Sequence, residues 1–344
     1  MRDKDFVYAS TYIRTLENKM LERSDFEALI EAPSLRQALA LLSGKGYGNR
    51  LAGQGPGEEP DAEALLNAEL AYTWDEVKGA CPKDAPIHIL LYQNDFQNLK
   101  TILKATFSGI EYESFEPLIL GPFTMPPDAA HRAVREGKAE SLPDIFKKPA
   151  EEAYRILARD GDGQFAEIVL DKALYSAMGE AAVQIDNDFL AGWVDLNISV
   201  MNMKIALRGL VGGKSRAFLR DSMLECKGID ADALADAAAE GASAVIRVIT
   251  QSGFEEAANE AAESAGSGGS GGTGLSPGKF ERCCDKALIR YARTARQKLF
   301  GFETVLGFFI CKQFELKAAR IVLSGLRGGV PAGVLRERLS ALYV

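Results

Sequence analysis

Histidine is nearly absent from this sequence, and its scarcity limits the chemistry that the chain can perform. His88 and His131 are the only two, and neither has a cysteine or a second histidine at metal-ligand spacing. A histidine-based metal site or a catalytic triad is therefore hard to build. The carboxylates are dispersed as well, so the sequence predicts no cofactor, no metal and no enzymatic activity.

Cysteines and long apolar runs are also scarce. The five cysteines are an odd number and include no CxxC pair, which indicates a reducing compartment and excludes a disulfide framework. The most apolar stretch runs only from Leu299 to Cys311 and is interrupted by Glu303, whereas a membrane span needs about 20 apolar residues. The N-terminus lacks the apolar core of a signal peptide. We therefore expect a cytoplasmic protein that does not cross a membrane by itself.

Basic residues are fewer than acidic residues in this sequence. Lysine and arginine total 40 against 48 acidic residues, a net charge of −8. Proteins that bind nucleic acid gain affinity by neutralising phosphates, so nucleic acid is an unsuitable main partner. With 47% hydrophobic and 26% charged residues, the 344-residue chain has an ordinary globular composition and is long enough to bury a large core without staples.

Helical periodicity, in contrast, extends almost throughout the chain. Strand-like alternation bounded by turn residues is scarce, so the sequence predicts an all-α fold. Ser34 with Gln37 three residues later forms a capping-box pattern, and Pro331 suits the first position of a final helix. Residues 265–278 are rich in glycine and serine, which predicts a flexible loop. Helices are predicted over 5–23, 34–42, 61–77, 87–107, 149–158, 165–178, 186–210, 231–250, 280–323 and 331–342.

An internal repeat is the most informative feature of the sequence. The segments Tyr92–Gly109, Leu196–Gly213 and Lys312–Gly329 align without gaps at offsets of 104 (100 to 204) and 116 (204 to 320). In this register three residue types recur: a basic residue (Lys100, Lys204, Arg320), a leucine (Leu103, Leu207, Leu323) and a final glycine (Gly109, Gly213, Gly329).

Two interpretations of the recurrent cations remain open. They either pair locally with Asp95 or Glu315 on the exposed helix surface, or point toward a common axis as partner contacts. The final glycine suits the C′ position of a helix, where a left-handed backbone satisfies the last carbonyls. Glu303 is the one ionisable residue that we expect to be substantially buried, as a structural partner for an arginine such as Arg320 or as an interface residue.

The repeat predicts three related helical modules, at 1–118, 119–221 and 222–344. Units of this size are too long for solenoid repeats and instead indicate a pseudo-threefold arrangement around a central depression. Such an arrangement forms a binding surface more readily than an active site, and it suits a partner that is itself a ring.

Two segments resemble ligand-binding motifs but fail on their details. Residues 208–215 nearly match a phosphate-binding loop, yet Arg208 occupies the first glycine position and the segment follows a helix instead of a strand. Residues 160–171 begin like a calcium loop but lack the required glycine and the final glutamate. We therefore interpret both as connections between helices.

Several motifs, in order along nearly the whole chain, resemble the C subunit of bacterial and archaeal V/A-type rotary ATPases, which is similar to the d subunit of the eukaryotic V-type enzyme. They are Phe26–Leu39, Gly46–Gly48, Asp95–Lys100, Asn202–Lys204, Gly301–Phe309, Glu315–Arg320 and Arg336–Leu339. Ser199 departs from the family pattern by replacing an acidic residue, and Ala318 and Ala319 replace Asn-Leu.

The resemblance implies a non-catalytic rotor component, a funnel-shaped socket of three helical modules. Such a protein sits on the cytoplasmic face of the membrane rotor ring and receives the tip of the central stalk, one copy per complex, so membrane contact is only indirect. Whether protons or sodium ions are transported is decided in the ring. The candidate partner contacts are basic: Lys100, Lys204, Arg320, Arg327, Arg336 and Arg338. The alternative is a free-standing helical adaptor that binds a soluble partner.

Overall fold

The computed structural model describes residues 3–48, 61–266 and 277–339, and within these ranges the chain is helical with no β-strand. This confirms the predicted all-α class. The predicted loop 265–278 lies, except at its two ends, outside the described residues. The α-helices are α1 (Val7–Glu17), α2 (Arg23–Ile30), α3 (Leu35–Gly44), α4 (Ala62–Ala80), α5 (Tyr92–Phe107), α6 (Tyr112–Phe115), α7 (Pro127–Arg135), α8 (Asp144–Asp160), α9 (Gly163–Gln184), α10 (Asp188–Val211), α11 (Arg216–Ser222), α12 (Ala231–Glu240), α13 (Ala242–Gln251), α14 (Glu255–Gly266), α15 (Pro277–Arg293), α16 (Phe302–Arg327) and α17 (Ala332–Leu339).

The three glycines that were predicted to end the repeat helices do so in the left-handed conformation. Gly109, Gly213 and Gly329 have φ values of 67°, 61° and 65°. In each case the next residue donates its N–H to the carbonyl five positions back, at 2.9 Å: Ile110 to Ala105, Lys214 to Gly209 and Val330 to Gly325. This pattern is the Schellman motif, which satisfies carbonyls that the helix end leaves free.

Two predicted helices are interrupted where glycine adopts a positive φ. The helix predicted over 231–250 breaks at Gly241, whose φ of 128° separates α12 from α13. The helix predicted over 280–323 breaks before Gly301, with a φ of 141°, so α15 and α16 are separate. L-residues rarely adopt this conformation, and glycine supplies it without a steric penalty. Because the apolar periodicity continues on both sides of each glycine, the sequence pattern did not predict either break.

The chain forms two compact units. Unit 1 comprises Met1–Ile87 and Asp285–Val344, and unit 2 comprises His88–Cys284. The core of unit 1 joins both ends of the chain, because residues of α2, α3 and α4 pack with residues of α16 and α17, among them Phe26, Leu39, Leu65, Leu316, Val322 and Leu335. Within unit 2, Phe96 of α5 packs against Phe146 of α8 with ring centroids 4.9 Å apart. The three-module division stays a prediction.

The long helices α10 and α16 share a close approach to the short helix that follows each of them. A Cβ added at Gly209 would lie 2.1 Å from Leu219 Cδ2, and one added at Gly325 would lie 2.4 Å from Leu335 Cδ2. The offset of 116 relates both pairs (209 to 325, 219 to 335). The repeat therefore includes the short helix that follows each long helix and packs against its C-terminal half.

Gly307 allows α16 to lie against the segment that precedes it, which gives a first prediction. A Cβ at this position would lie 2.3 Å from Ala295 Cβ and 2.8 Å from the Ala292 carbonyl oxygen. Neither atom belongs to a flexible side-chain end, so Gly307→Ala should lower the free energy of unfolding by about 1–3 kcal/mol, the usual cost of overpacking. Urea denaturation monitored by circular dichroism measures it.

Gly79 in α4 provides the matched control. A Cβ there would have no neighbour within 4 Å. Because alanine is the better helix former, Gly79→Ala should raise the free energy of unfolding by about 0.5–1 kcal/mol. Equal effects of the two substitutions would contradict the steric explanation for Gly307.

Candidate functional site

Each of the three repeat helices buries a polar residue at the same register position: Asp95, Ser199 and Glu315. Asp95 of α5 accepts the backbone N–H groups of Thr124 at 2.9 Å and Met125 at 3.1 Å. Glu315 of α16 accepts the backbone N–H of Leu21 at 2.6 Å. These carboxylates hold adjacent loops against the long helices and are not free to pair with the recurrent cations.

In the first two repeats, an asparagine side chain at the same register position also fixes a neighbouring segment through two hydrogen bonds. The Asn98 amide donates to the Leu120 carbonyl and accepts the Leu120 N–H, both at 2.8 Å. Asn202 makes the same pair of hydrogen bonds with Leu224, at 2.7 and 3.1 Å. Ala318 occupies this position in the third repeat, so the third repeat lacks this anchor. The departure noted in the sequence therefore removes a structural contact.

The first and third recurrent cations are ion-paired, but not with the residues that we had considered. Lys100 contacts Asp171 of α9 at 2.5 Å, and Arg320 contacts Glu63 of α4 through its Nε at 2.9 and 3.1 Å. Local pairing with Asp95 or Glu315 is thus wrong for both, because those two carboxylates are fully buried and bound to backbone or other groups. Lys204, half-buried on α10, has no hydrogen-bond or ion-pair partner in the described part of the chain.

The three remaining candidates lie at the C-terminal end of unit 1. Arg327 is 3.7 Å from Asp61. Arg336 of α17 bridges to α2, contacting Glu27 at 2.8 Å and Glu31 at 2.7 Å. Arg338 is exposed and makes no ion pair with any described residue. Their role as partner contacts stays a prediction.

Glu303 is not the buried partner of Arg320 that we considered, and its role as an interface residue stays a prediction. It is only partly buried, and the partner of Arg320 is Glu63. Among the described acidic side chains, Asp95 and Glu315 are instead fully buried and Glu69 is 8% exposed, and the Lys312 beside them is 5% exposed. Glu303 lies in the first turn of α16, near the chain surface, whereas positions 312 and 315 lie in the middle of this helix, where α3 and α4 cover it.

A buried charge network, which the sequence analysis missed, joins α16 to α4 and to the loop after α3. Lys312 Nζ lies 2.8 Å from Glu69 and 2.6 Å from Glu315, and it donates to the Tyr47 hydroxyl at 3.3 Å. The Tyr47 hydroxyl also donates to Glu315. The available signals were the Gly46-Tyr47-Gly48 motif and the alignment of Glu315 with Asp95. Neither revealed the partners, which lie up to 294 positions away in sequence.

Burial dominates the electrostatics of this network. It raises the pKa of Glu69, and Lys312 offsets only part of the effect. Burial would lower the pKa of Lys312, but Glu315 and Glu69 outweigh it, so the pKa of that ammonium group is raised. Burial and the neighbouring Glu315 raise the pKa of Tyr47 well above its usual range. Lys312 therefore stays charged beside two carboxylates, and Tyr47 stays protonated as a donor.

A cavity of about 360 Å³ opens beside this network. Glu69, Tyr72, Thr73 and Glu76 line one wall from a single face of α4, and Lys312 and other residues complete the cavity. In the part of the chain that the structure describes, no three histidine, cysteine or acidic side chains cluster as metal ligands. None of the described helices has the length and apolarity needed to cross a membrane.

The two apparent ligand-binding motifs are helix starts. Ser215 accepts the backbone N–H of Phe218 and so caps α11. Asp162 accepts the N–H of Phe165 and caps α9. Hydroxyl and carboxylate oxygens at these positions satisfy free backbone donors, as at many helix N-termini. The observed structure agrees with our interpretation of both segments as connections.

Comparisons with known proteins give a consistent result. The family described as ATP synthase (C/AC39) subunit matches residues 9–338. The chain is 25% identical over 208 residues to the C subunit of the V-type ATP synthase of Thermus thermophilus, covering 59% of this chain and 63% of that relative. The chain thus spans less than two thirds of the length of this relative.

Two further relatives align over most of their length. The C subunit of the A-type ATP synthase of Methanocaldococcus jannaschii is 22% identical over 362 residues, covering 98% of this chain and 86% of the relative. The C subunit of the V-type sodium ATPase of Enterococcus hirae is 19% identical over 331 residues, covering 96% and 97%.

Proposed function

The chain belongs to the ATP synthase (C/AC39) subunit family, and from this membership we propose that it is the non-catalytic rotor subunit of a V/A-type rotary ATPase. In this role it is a socket that couples the central stalk to the membrane rotor ring. The match over residues 9–338 carries the proposal. ATP hydrolysis or synthesis and ion passage belong to other subunits of the complex.

The packing of the chain suits a part that transmits torque. Close-packed helices resist deformation, because protein interiors are as dense as organic crystals. Hydrogen bonds that the buried side chains of Asp95, Asn98 and Asn202 make with backbone groups fix connecting segments to the long helices α5 and α10. In unit 1, Glu315 does the same for the segment before α2. A coupler with its loops fixed in this way loses little rotation to internal flexing.

We further propose that the protein consists of three helical modules and that one copy per complex lies on the cytoplasmic face of the membrane. The equivalent pairs Gly209–Leu219 and Gly325–Leu335 support related modules around α10 and α16. Unit 1 contains both chain ends, and in it α2, α3 and α4 pack against α16. We therefore propose that the third module includes N-terminal residues besides 222–344. The net charge of −8 favours specific protein contacts with the ring over attraction to anionic lipid.

Affinity capture from membranes tests the function. A tagged copy of the chain should co-purify with central-stalk and rotor-ring subunits of the same ATPase. Recovery with a soluble partner alone, without ring or stalk subunits, would instead establish the free-standing adaptor.

The unpaired cations give a second prediction for the same capture. Lys204 and Arg338 have no internal ion pair among the described residues, so they are available to a partner. Charge reversal at an interface places like charges together, so Lys204→Glu or Arg338→Glu should reduce recovery of ring or stalk subunits about tenfold or more. Arg132→Glu is the control, because Arg132 is exposed on α7 and forms an ion pair with Asp128 of the same helix. Equal recovery for all three variants would remove Lys204 and Arg338 from the interface.

A further inference from the structure

The cavity in unit 1 is large enough to hold a ligand group. Its volume of about 360 Å³ lies within the range of small-molecule sites. The ring-bearing residues Tyr72 and Phe308 line it together with Leu16 and Ala68. These residues provide apolar surface, so the polar specificity of the cavity depends on its charged groups.

Glu69 is the charged group whose bonding capacity is unfilled. It is 8% exposed and lines the cavity. Its Oε1 contacts Lys312 at 2.8 Å, whereas its Oε2 has no hydrogen-bond partner in the described ranges. The Lys312 ammonium has three donors and three acceptors, on Glu69, Glu315 and Tyr47. The buried wall therefore offers a ligand an acceptor and no free donor.

The balance of charge at the buried wall of the cavity is negative. Lys45 is neutralised by Asp25 at 2.7 Å. At the buried wall one ammonium group, on Lys312, is shared between two carboxylates, on Glu69 in the lining and on Glu315 behind it. Lys19 is exposed, at the end of α1. An anion would meet the buried carboxylate directly, whereas a cation would complete its coordination.

We propose that this cavity binds an organic cation, an ammonium or guanidinium group that donates to Glu69 Oε2 while its apolar stem packs against Tyr72 and Phe308. Charge-assisted hydrogen bonds and contacts with aromatic rings are the usual means of recognising such groups. The cation is either a free amine or a lysine or arginine side chain of a partner protein. Only the second source rests on the proposed function.

Direct binding to the full chain tests the site. The probes are n-butylammonium, ethylguanidinium and, as the anion of similar size, butyrate, each followed by saturation-transfer NMR at constant ionic strength. Both cations should bind saturably and compete with each other, and butyrate should not bind. Preferential binding of butyrate, or no saturable binding of either cation, would overturn the proposal.

Two substitutions test the location. Glu69→Gln should weaken cation binding about tenfold or more, the effect of losing one charged hydrogen bond. Lys19→Gln removes a like charge from the exposed side and should strengthen cation binding about two- to fivefold. Lys78→Gln, on the same helix but outside the cavity, is the control and should change nothing.

The Lys19 variant keeps the proposal testable if Glu69→Gln fails to fold, because Lys19 is outside the buried network. Weaker cation binding after Lys19→Gln would contradict the assignment. In the captured ATPase, loss of stalk or ring subunits with Glu69→Gln identifies a partner side chain as the ligand. Unchanged recovery of these subunits with Glu69→Gln, when the unsubstituted chain binds butylammonium and the variant does not, identifies a free amine. If the capture recovers no ring or stalk subunits, the proposed function is contradicted, but the measured binding of the cations still stands.

Discussion

Replacing Glu315 by alanine should lower the free energy of unfolding by about 3–5 kcal/mol, the range found when one partner of a buried ion pair is removed. Glu315 is 0% exposed and accepts from Leu21 N–H, the Tyr47 hydroxyl and Lys312. The substitution leaves a buried backbone donor without an acceptor and Lys312 with one carboxylate instead of two. Urea denaturation of the purified chain, compared with the unsubstituted protein, measures the loss.

Glu63→Ala is the matched control, because it removes a glutamate from an ion pair with α16 at the surface. The side chains of Glu63 and Arg320 are 45% and 38% exposed, so water screens their interaction. We expect a loss below about 1 kcal/mol. A Glu315→Ala loss no larger than that of Glu63→Ala would show that the buried network contributes no more than a surface pair.

A chain that ends at Leu299 should lose the folded structure of unit 1 and, with it, the binding of the rotor ring that we propose. The deletion removes α16 and α17, whose Leu316, Val322 and Leu335 form the core together with residues of α2, α3 and α4. Exposing this core removes the hydrophobic stabilisation of the N-terminal helices, at about 25 cal/mol per Å² of apolar surface. The expected result is rapid proteolysis within residues 1–87 and loss of helical circular dichroism.

A chain that ends at Leu339 serves as the length control and should keep both the circular dichroism signal and the protease resistance of the full protein. The Leu299 chain is also tested for recovery with the ring from membranes. Normal recovery at the usual stoichiometry would contradict the expected loss of ring binding.

Local features of the fold were predictable because they depend on neighbours in sequence. Ser34 accepts the Gln37 N–H and caps α3, which is the N-cap bond of the predicted capping box. The glycines at 109, 213 and 329 end their helices in the left-handed conformation because only a residue without a Cβ adopts it freely. Helical periodicity also places Phe96, Leu99 and Met203 on the buried faces of the repeat helices, and all three are 0% exposed.

The role of each charged residue was not predictable in the same way. The alignment found Lys100, Lys204 and Arg320 as a set, but two of them make ion pairs with helices elsewhere in the chain and one makes none with the described residues. Glu303 was expected to be buried because of its apolar neighbours in sequence. Exposure depends on what packs over a position, and the apolar run around Glu303 does not show that.

The sequence by itself determined the helical class, the repeat, the caps and the family resemblance, because these follow from periodicity, local hydrogen bonding and residue patterns. Tertiary structure alone decided that Leu21, Tyr47 and Glu69 meet Lys312 and Glu315. Those contacts join parts of the chain separated by up to 294 residues. Burial and charge pairing depend on distances in space, which the order of residues does not display.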